Sequence, residues 1–328
     1  MTNHLRRKLI AGAALAPWLG AMTRPAGAQS WPARPIQMMI PAPAGGGVDV
    51  TARRLCEGMG RALGTQVVAV NRPGAAGLIG AQAVSSAPPD GYTVGYLHSG
   101  HIVLNAMEGK PDMVADFTPL AMFSASQFCI AVAPDAPYAT LNDLLAAIQK
   151  NPGKLNFGAG GNGSPGHIAW EKLAALKGGL VVVQIPFKGA VEAAMAVSQG
   201  QVDFLSGVFS TALTVARTGR LRILAVTGAR RSSQLPEVPT VAEAAGLPAY
   251  EHVSWGALFG PKGLPAPIVS RLYDAIRTTA ESDAFKDSVI TSGGEIMLSP
   301  SPQSLAALVK RELAETVTLV DRLGLRKS

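Results

Sequence analysis

The sequence predicts an α/β protein of two lobes, each a mainly parallel sheet flanked by helices. Three observations carry that expectation. Short apolar runs bounded by Gly, Pro and Asn alternate with helix-period segments, the pattern of parallel β-α-β units. The order strand, glycine loop, helix occurs at Gly45-Gly46-Gly47 and again at Gly160-Gly161-Asn162-Gly163. About 300 residues follow an N-terminal leader, which exceeds one typical core.

The leader is residues 1–28. Arg6, Arg7 and Lys8 precede an apolar run over 9–22, and Ala26-Gly27-Ala28 offers a small-residue cleavage site before Gln29. Pro17 interrupts the run, which falls short of the roughly 20 residues that span a bilayer. Cleavage and a periplasmic destination are therefore expected. The Arg6-Arg7 pair also fits a twin-arginine signal, so both general secretory and twin-arginine export stay open.

Four of the seven units of net positive charge belong to Arg6, Arg7, Lys8 and Arg24, which leaves +3 on the mature chain. A mild surplus with no dense Lys/Arg run suits a small anionic ligand and disfavours nucleic acid, as does an aromatic content of 5%. Cys56 and Cys129 could form one disulfide, but they fall on a helix and a buried strand, and two separate buried thiols are favoured.

Along the chain, a strand over 35–41 leads through the first loop into a helix patterned by Thr51, Leu55, Met59 and Leu63. A strand at 67–70, a helix at 78–86 and a strand at 92–97 follow. The second set comprises strands at 128–132, 155–158, 180–185, 202–205 and 223–226. It also includes helices at 140–149, opened by a threonine cap, 165–176, 190–199 and 211–217. A strand at 255–259 then leads back, and helices at 268–281 and 302–322 pack on the first lobe. The lobes are thus expected at 29–124 plus 255–328 and at 125–254.

Pro43-Ala44-Gly45-Gly46-Gly47-Val48-Asp49 lets backbone approach a ligand and leaves N–H groups free at a helix start, where an anion is stabilised. The alternative is a tight turn capped by Asp49. In the second loop Gly160, Gly161, Asn162 and Ser164 could grip the other end of the ligand, with Phe187 and Lys188 as a nearby wall and cation. His98 and His101 follow the third strand and could line the cleft.

Neither loop has a nucleotide-binding spacing. Ser164 and His167 invite a nucleophile-base reading, but G-x-S-x-G spacing and an orienting carboxylate are missing. His167 and Glu171 share a helix face without a third metal ligand. No cofactor, metal or catalytic group is therefore expected.

The first half contains Pro35-Ile36, Pro43 through Asp49, Asn71-Arg72-Pro73-Gly74, Pro89-Asp90-Gly91-Tyr92-Thr93 and Asn151-Pro152-Gly153-Lys154-Leu155. The second contains Gly160 through His167, Pro186-Phe187-Lys188-Gly189, Gly200-Gln201-Val202-Asp203, Leu224-Ala225-Val226-Thr227 and Pro236 through Glu243. In order and spacing these segments together resemble the tripartite tricarboxylate transporter receptor family, called TctC or Bug.

It implies a two-lobed periplasmic-binding-protein (Venus flytrap) fold that captures a small organic acid, partly through ordered water. It also implies membrane transporter subunits as partners of a monomeric receptor. The expected contacts are Pro43, Ala44, Gly45, Gly46, Asp49, His101, Gly160, Gly161, Asn162, Ser164, His167, Phe187 and Lys188. Ala42 and Ala44 stand where the family usually has an aromatic and a second proline, which implies a wider pocket. Ser206-Gly207 stands where an acidic residue often reads an amino group, which disfavours amino-acid ligands. A sensor for a signalling partner and a Ser164/His167 hydrolase are the remaining alternatives.

Overall fold

β1 (Ile36–Ile40) has its side chains alternating between two cores: Ile36, Met38 and Ile40 enter one and Met39 the other. A strand buried on both faces belongs inside an α/β sandwich. The computed structural model describes residues 31–45, 47–187, 189–291 and 293–326. Residues 1–28, expected to be an export signal, and Gly46 and Lys188 lie outside the described residues.

From β1 the chain runs through α1 (Gly47–Leu63), β2 (Val67–Asn71), α2 (Leu78–Ser85), β3 (Thr93–His98) and α3 (Gly100–Glu108) into β4 (Phe117–Val132). The second half continues with α4 (Leu141–Lys150), β5 (Asn156–Ala159), α5 (Pro165–Leu176), β6 (Val183–Pro186) and α6 (Ala190–Ser198). β7 (Phe204–Val208), α7 (Phe209–Ala216), β8 (Arg222–Val226) and α8 (Val241–Ala245) complete it. β9 (Val253–Pro261) returns to the first half, followed by α9 (Ala266–Ala280), α10 (Asp283–Thr291), β10 (Glu295–Ile296) and α11 (Pro302–Arg322).

The strands lie in the order β2-β1-β3-β9-β4-β7-β5-β6, with β8 and β10 also on β4. Within each half the strands of the β-α-β units are parallel, β2-β1-β3 in one and β7-β5-β6 in the other. Every antiparallel pair involves β4 or β9, so the sheets are mixed.

β4 joins the halves. Its residues up to Gln127 pair with β9, and Phe128 to Val132 pair with β7 and β8. The expected lobe limits at 124/125 and 254/255 fall inside this paired crossover, where Ser124 opposes Gly256 and Ser126 opposes Ser254.

Helices cover both faces of each half. α1, α9 and α10 pack with Leu55, Met59, Leu272, Ile276 and Phe285 on one face of the first sheet, and α11 packs with Leu305 and Val309 on the other. In the second half Ile130 and Val132 face Leu144, Trp170 and Val241, while Cys129 and Ala131 face Ala193, Val197 and Phe209. Cys56 and Cys129 are free, buried and in different cores. Burial pushes the Cys56 thiol up to about 12 and raises that of Cys129 as well. Among the described residues no helix is long and apolar enough to cross a membrane.

Candidate functional site

Two adjoining cavities of about 320 and 270 Å³ open where β4 and β9 cross, and Ser126 and Ser254 line both. Together they form a cleft between the halves. Gly47, Val48, Thr51, His98 and Ser124 line the first-half side. Gly160, Ser164, Pro165, Gly166, Ala190 and the run Ser206 to Val208 line the other.

Four helices begin at this cleft: α1 at Gly47, α5 at Pro165, α6 at Ala190 and α7 just after Val208. Helix N-termini concentrate partial positive charge on unpaired N–H groups. α6 and α7 start from Gly189 and Val208 with no side-chain cap, so their first N–H groups stay available to a guest. No Asp, Glu, Lys or Arg lines the cleft among the described residues. His98 is held neutral, because burial and neighbouring His101 push its pKa well below the usual value. The cleft is thus an array of N–H dipoles and hydroxyls suited to a compact anion.

The first loop is held by Asp49. Its buried carboxylate accepts from the Gly45 N–H (2.8 Å), Arg53 Nε (3.0 Å) and Asn71 Nδ2 (2.8 Å). Asn71 Nδ2 also reaches the Ala42 carbonyl at 3.0 Å. The Arg53 hydrogen bond, with those from Gly45 and Asn71, outweighs burial and holds the Asp49 pKa at about 2. This carboxylate is already committed to the loop, so Asp49 shapes the α1 N-terminus from behind.

In the second loop Ser164 caps α5, its Oγ accepting from the His167 N–H at 3.4 Å, and Pro165 takes the first helical position. His167 Nδ1 accepts from the Gly163 N–H at 3.0 Å, and its Nε2 lies 3.8 Å from Glu171. The buried imidazole braces the loop and does not bond the Ser164 hydroxyl, the contact a nucleophile-base pair requires. Ser164→Ala is expected to lower stability by about 1 kcal/mol, read from the urea midpoint, through loss of this cap.

Of the other expected contacts, Gly160 lines the cleft, its carbonyl accepting from Gln184 Nε2 at 3.3 Å. Pro43, Ala44, Gly45, Gly161 and Asn162 are exposed and outside the two cavities. His101 is buried behind His98, its Nδ1 3.2 Å from the His98 backbone. Phe187 packs in the second-half core beside Ala193. Sequence reasoning missed Thr51, Ser124, Ser126 and Ser254, and noted Ser206 only as standing with Gly207 where relatives often carry an acidic residue. All but Thr51 are single serines on strands, where the local signal is a hydroxyl inside an otherwise apolar run. No group of three metal-capable side chains occurs among the described residues.

Two α/β halves joined by crossing strands around an uncharged cleft define a periplasmic-binding-protein fold. The family model described as tripartite tricarboxylate transporter family receptor (TctC) matches residues 51–325, and the chain belongs to that family. A UPF0065 protein from the tcbD-tcbE intergenic region of a Pseudomonas species is 34% identical, over 95% of this chain and 93% of that protein. Protein BugT of Bordetella pertussis is 31% identical over 92% of each.

Among solved structures, a Polaromonas TctC solute-binding protein without ligand superposes with TM-score 0.82, at 29% identity, over 89% of this chain and 99% of that one. An R. palustris protein with adipate gives 0.70, at 28% identity, over 90% and 98%. MatC from Rhodopseudomonas palustris, with bound malate, gives 0.66, at 27% identity, over 88% and 99%.

Proposed function

We propose that this protein is an extracytoplasmic receptor that captures a small carboxylate between its lobes and presents it to a tripartite tricarboxylate-type transporter. The observation that carries the reading is the convergence of four helix N-termini and five serines on a cleft lined by no charged side chain among the described residues. A carboxylate can take up the bare N–H groups of α6 and α7 while Ser126 and Ser254 sit at the crossover floor.

Uncharged donors on both walls match a ligand with an acid at each end. The adipate and malate bound by its structural neighbours have that form. The lobes at 29–124 plus 255–328 and at 125–254 would close about β4 and β9. The export segment 1–28 would deliver the chain to the periplasm as a monomer.

The test is thermal unfolding of the protein lacking residues 1–28 against mono- and dicarboxylates of two to eight carbons. A ligand at a hundredfold its Kd adds about 2.7 kcal/mol, which for a chain of this size raises Tm by roughly 5 °C. Four- to six-carbon dicarboxylates are expected to give that rise. A flat response across the whole series overturns the reading.

A further inference from the structure

A further cavity, of about 480 Å³, lies on the other side of the crossover. Along β9, Ser254 faces the cleft while Val253 lines this cavity, as alternation along a strand requires of opposite faces. Its walls come from both halves: α3 and α11 on one side, α5 on the other, and the approach to β9 at 249–252 between them. Ile102, Val103, Ile168, Leu176, Val253 and Leu319 make an apolar surface.

Two carboxylates stand in that surface in different circumstances. Glu315 is paired with Lys172 at 3.1 Å across the two halves, in a partly exposed ion pair. Glu312 is more deeply set and accepts one hydrogen bond, from Trp255 Nε1 at 2.8 Å. Burial raises its pKa, against the Trp255 bond and the charges of Lys172 and Arg311. His252 beside it contributes no charge, since burial and Lys172 push its pKa down to about 4. Glu251 and Arg322 are exposed at the edge.

A carboxylate oxygen has room for several donors, and one left short of them in an apolar wall is destabilised until a cation arrives. We propose that this cavity is a second binding site, separate from the cleft, for a small organic ammonium. Its apolar body lies against Ile102, Ile168, Leu176 and Leu319, and its –NH3+ bonds the Glu312 carboxylate.

The volume falls within the range of ordinary small-molecule sites. An anion would face Glu251, Glu312 and Glu315, which outnumber Lys172 and Arg322 in the lining. A wholly apolar guest would bury Glu312 with its single donor.

Benzylammonium is a suitable probe, with benzyl alcohol as its neutral isostere, both titrated calorimetrically into the protein lacking residues 1–28. Benzylammonium is expected to bind saturably in the micromolar to millimolar range and benzyl alcohol at least about tenfold more weakly, the share of one charge-assisted hydrogen bond. Glu312→Gln is expected to weaken benzylammonium by the same factor. Ala175→Trp, which fills the cavity from an exposed position on α5, is expected to abolish binding and serves if Glu312→Gln does not fold.

No saturable binding, equal binding of the alcohol, or binding unchanged in the variants would each overturn the proposal. The dicarboxylate response of the cleft is expected to persist in Glu312→Gln, so failure here is distinguishable from failure of the carboxylate reading.

Discussion

Gly166→Ala is expected to destabilise the protein by about 3 kcal/mol and to abolish carboxylate binding, an unusually large effect for one methyl group. A Cβ at this position would overlap the Ser206 carbonyl oxygen and stand 3.2 Å from its carbonyl carbon. Both are backbone atoms of β7, which is hydrogen-bonded between β4 and β5 and cannot give way alone. The Ser206 hydroxyl donates to the Gly166 carbonyl at 2.7 Å, so helix and strand are bonded where they approach most closely.

Because Pro165-Gly166 and Ser206-Gly207 both line the cleft, pushing them apart reshapes the site as well as the core. Urea unfolding measures the first effect and dicarboxylate titration the second. A variant that melts and binds like the parent would show that α5 and β7 do not approach this closely.

Asp49→Ala is expected to cost about 1–2 kcal/mol, since it removes the acceptor shared by the Gly45 N–H, Asn71 and the half-exposed Arg53, while Asn71 keeps its bond to the Ala42 carbonyl. Dicarboxylate affinity should fall as well, because Gly47, Val48 and Thr51 depend on that loop.

The linked pH dependence has a definite sign. The folded pKa, about 2, lies below the ordinary 3.8, so the unfolded chain binds the proton more tightly. The contribution is therefore complete above about pH 5 and is lost as the pH falls through 4 toward 2. Denaturation curves between pH 2 and 6 should show a shallower acid limb in Asp49→Ala than in the parent. Parallel limbs would remove Asp49 from this role.

Local signals were legible where one short stretch contains both the cause and the effect. Ser164-Pro165 starts a helix because a hydroxyl can cap it and a proline needs no N–H, and α5 begins and ends where that pattern predicts. Ser301-Pro302 does the same for α11, and Thr140 with Asp143 forms the capping box that opens α4. β4 was harder. Its second half, Phe128 to Val132, is an apolar run. Its first half carries Pro119, Ser124, Ser126 and Gln127 and breaks register twice against β9, so no period survives for a sequence pattern to show. α3 begins after Ser99, which makes no side-chain cap, and gave no start signal.

The site divides in the same way. The two glycine loops could be read as ligand-facing because unpaired N–H groups at a helix start are a property of a few consecutive residues. The structure puts Gly160 and Ser164 of the second loop beside the cleft, with Gly47 and Val48 from the end of the first, and it leaves Pro43, Ala44, Gly45, Gly161 and Asn162 outside the two cavities.

The sequence by itself determined the fold class and the family, which rest on local pattern and on likeness along the whole chain, and it singled out two glycine loops as candidate ligand contacts. Only the tertiary structure decided that Asp49 and His167 brace the loops, that serines from β4, β7 and β9 form the floor, and that Glu312, hydrogen-bonded by Trp255, lines the cavity behind the crossover. Those facts depend on which strands pair and which side chains consume one another's hydrogen bonds. Such partners lie tens to hundreds of residues apart, beyond the reach of any local pattern.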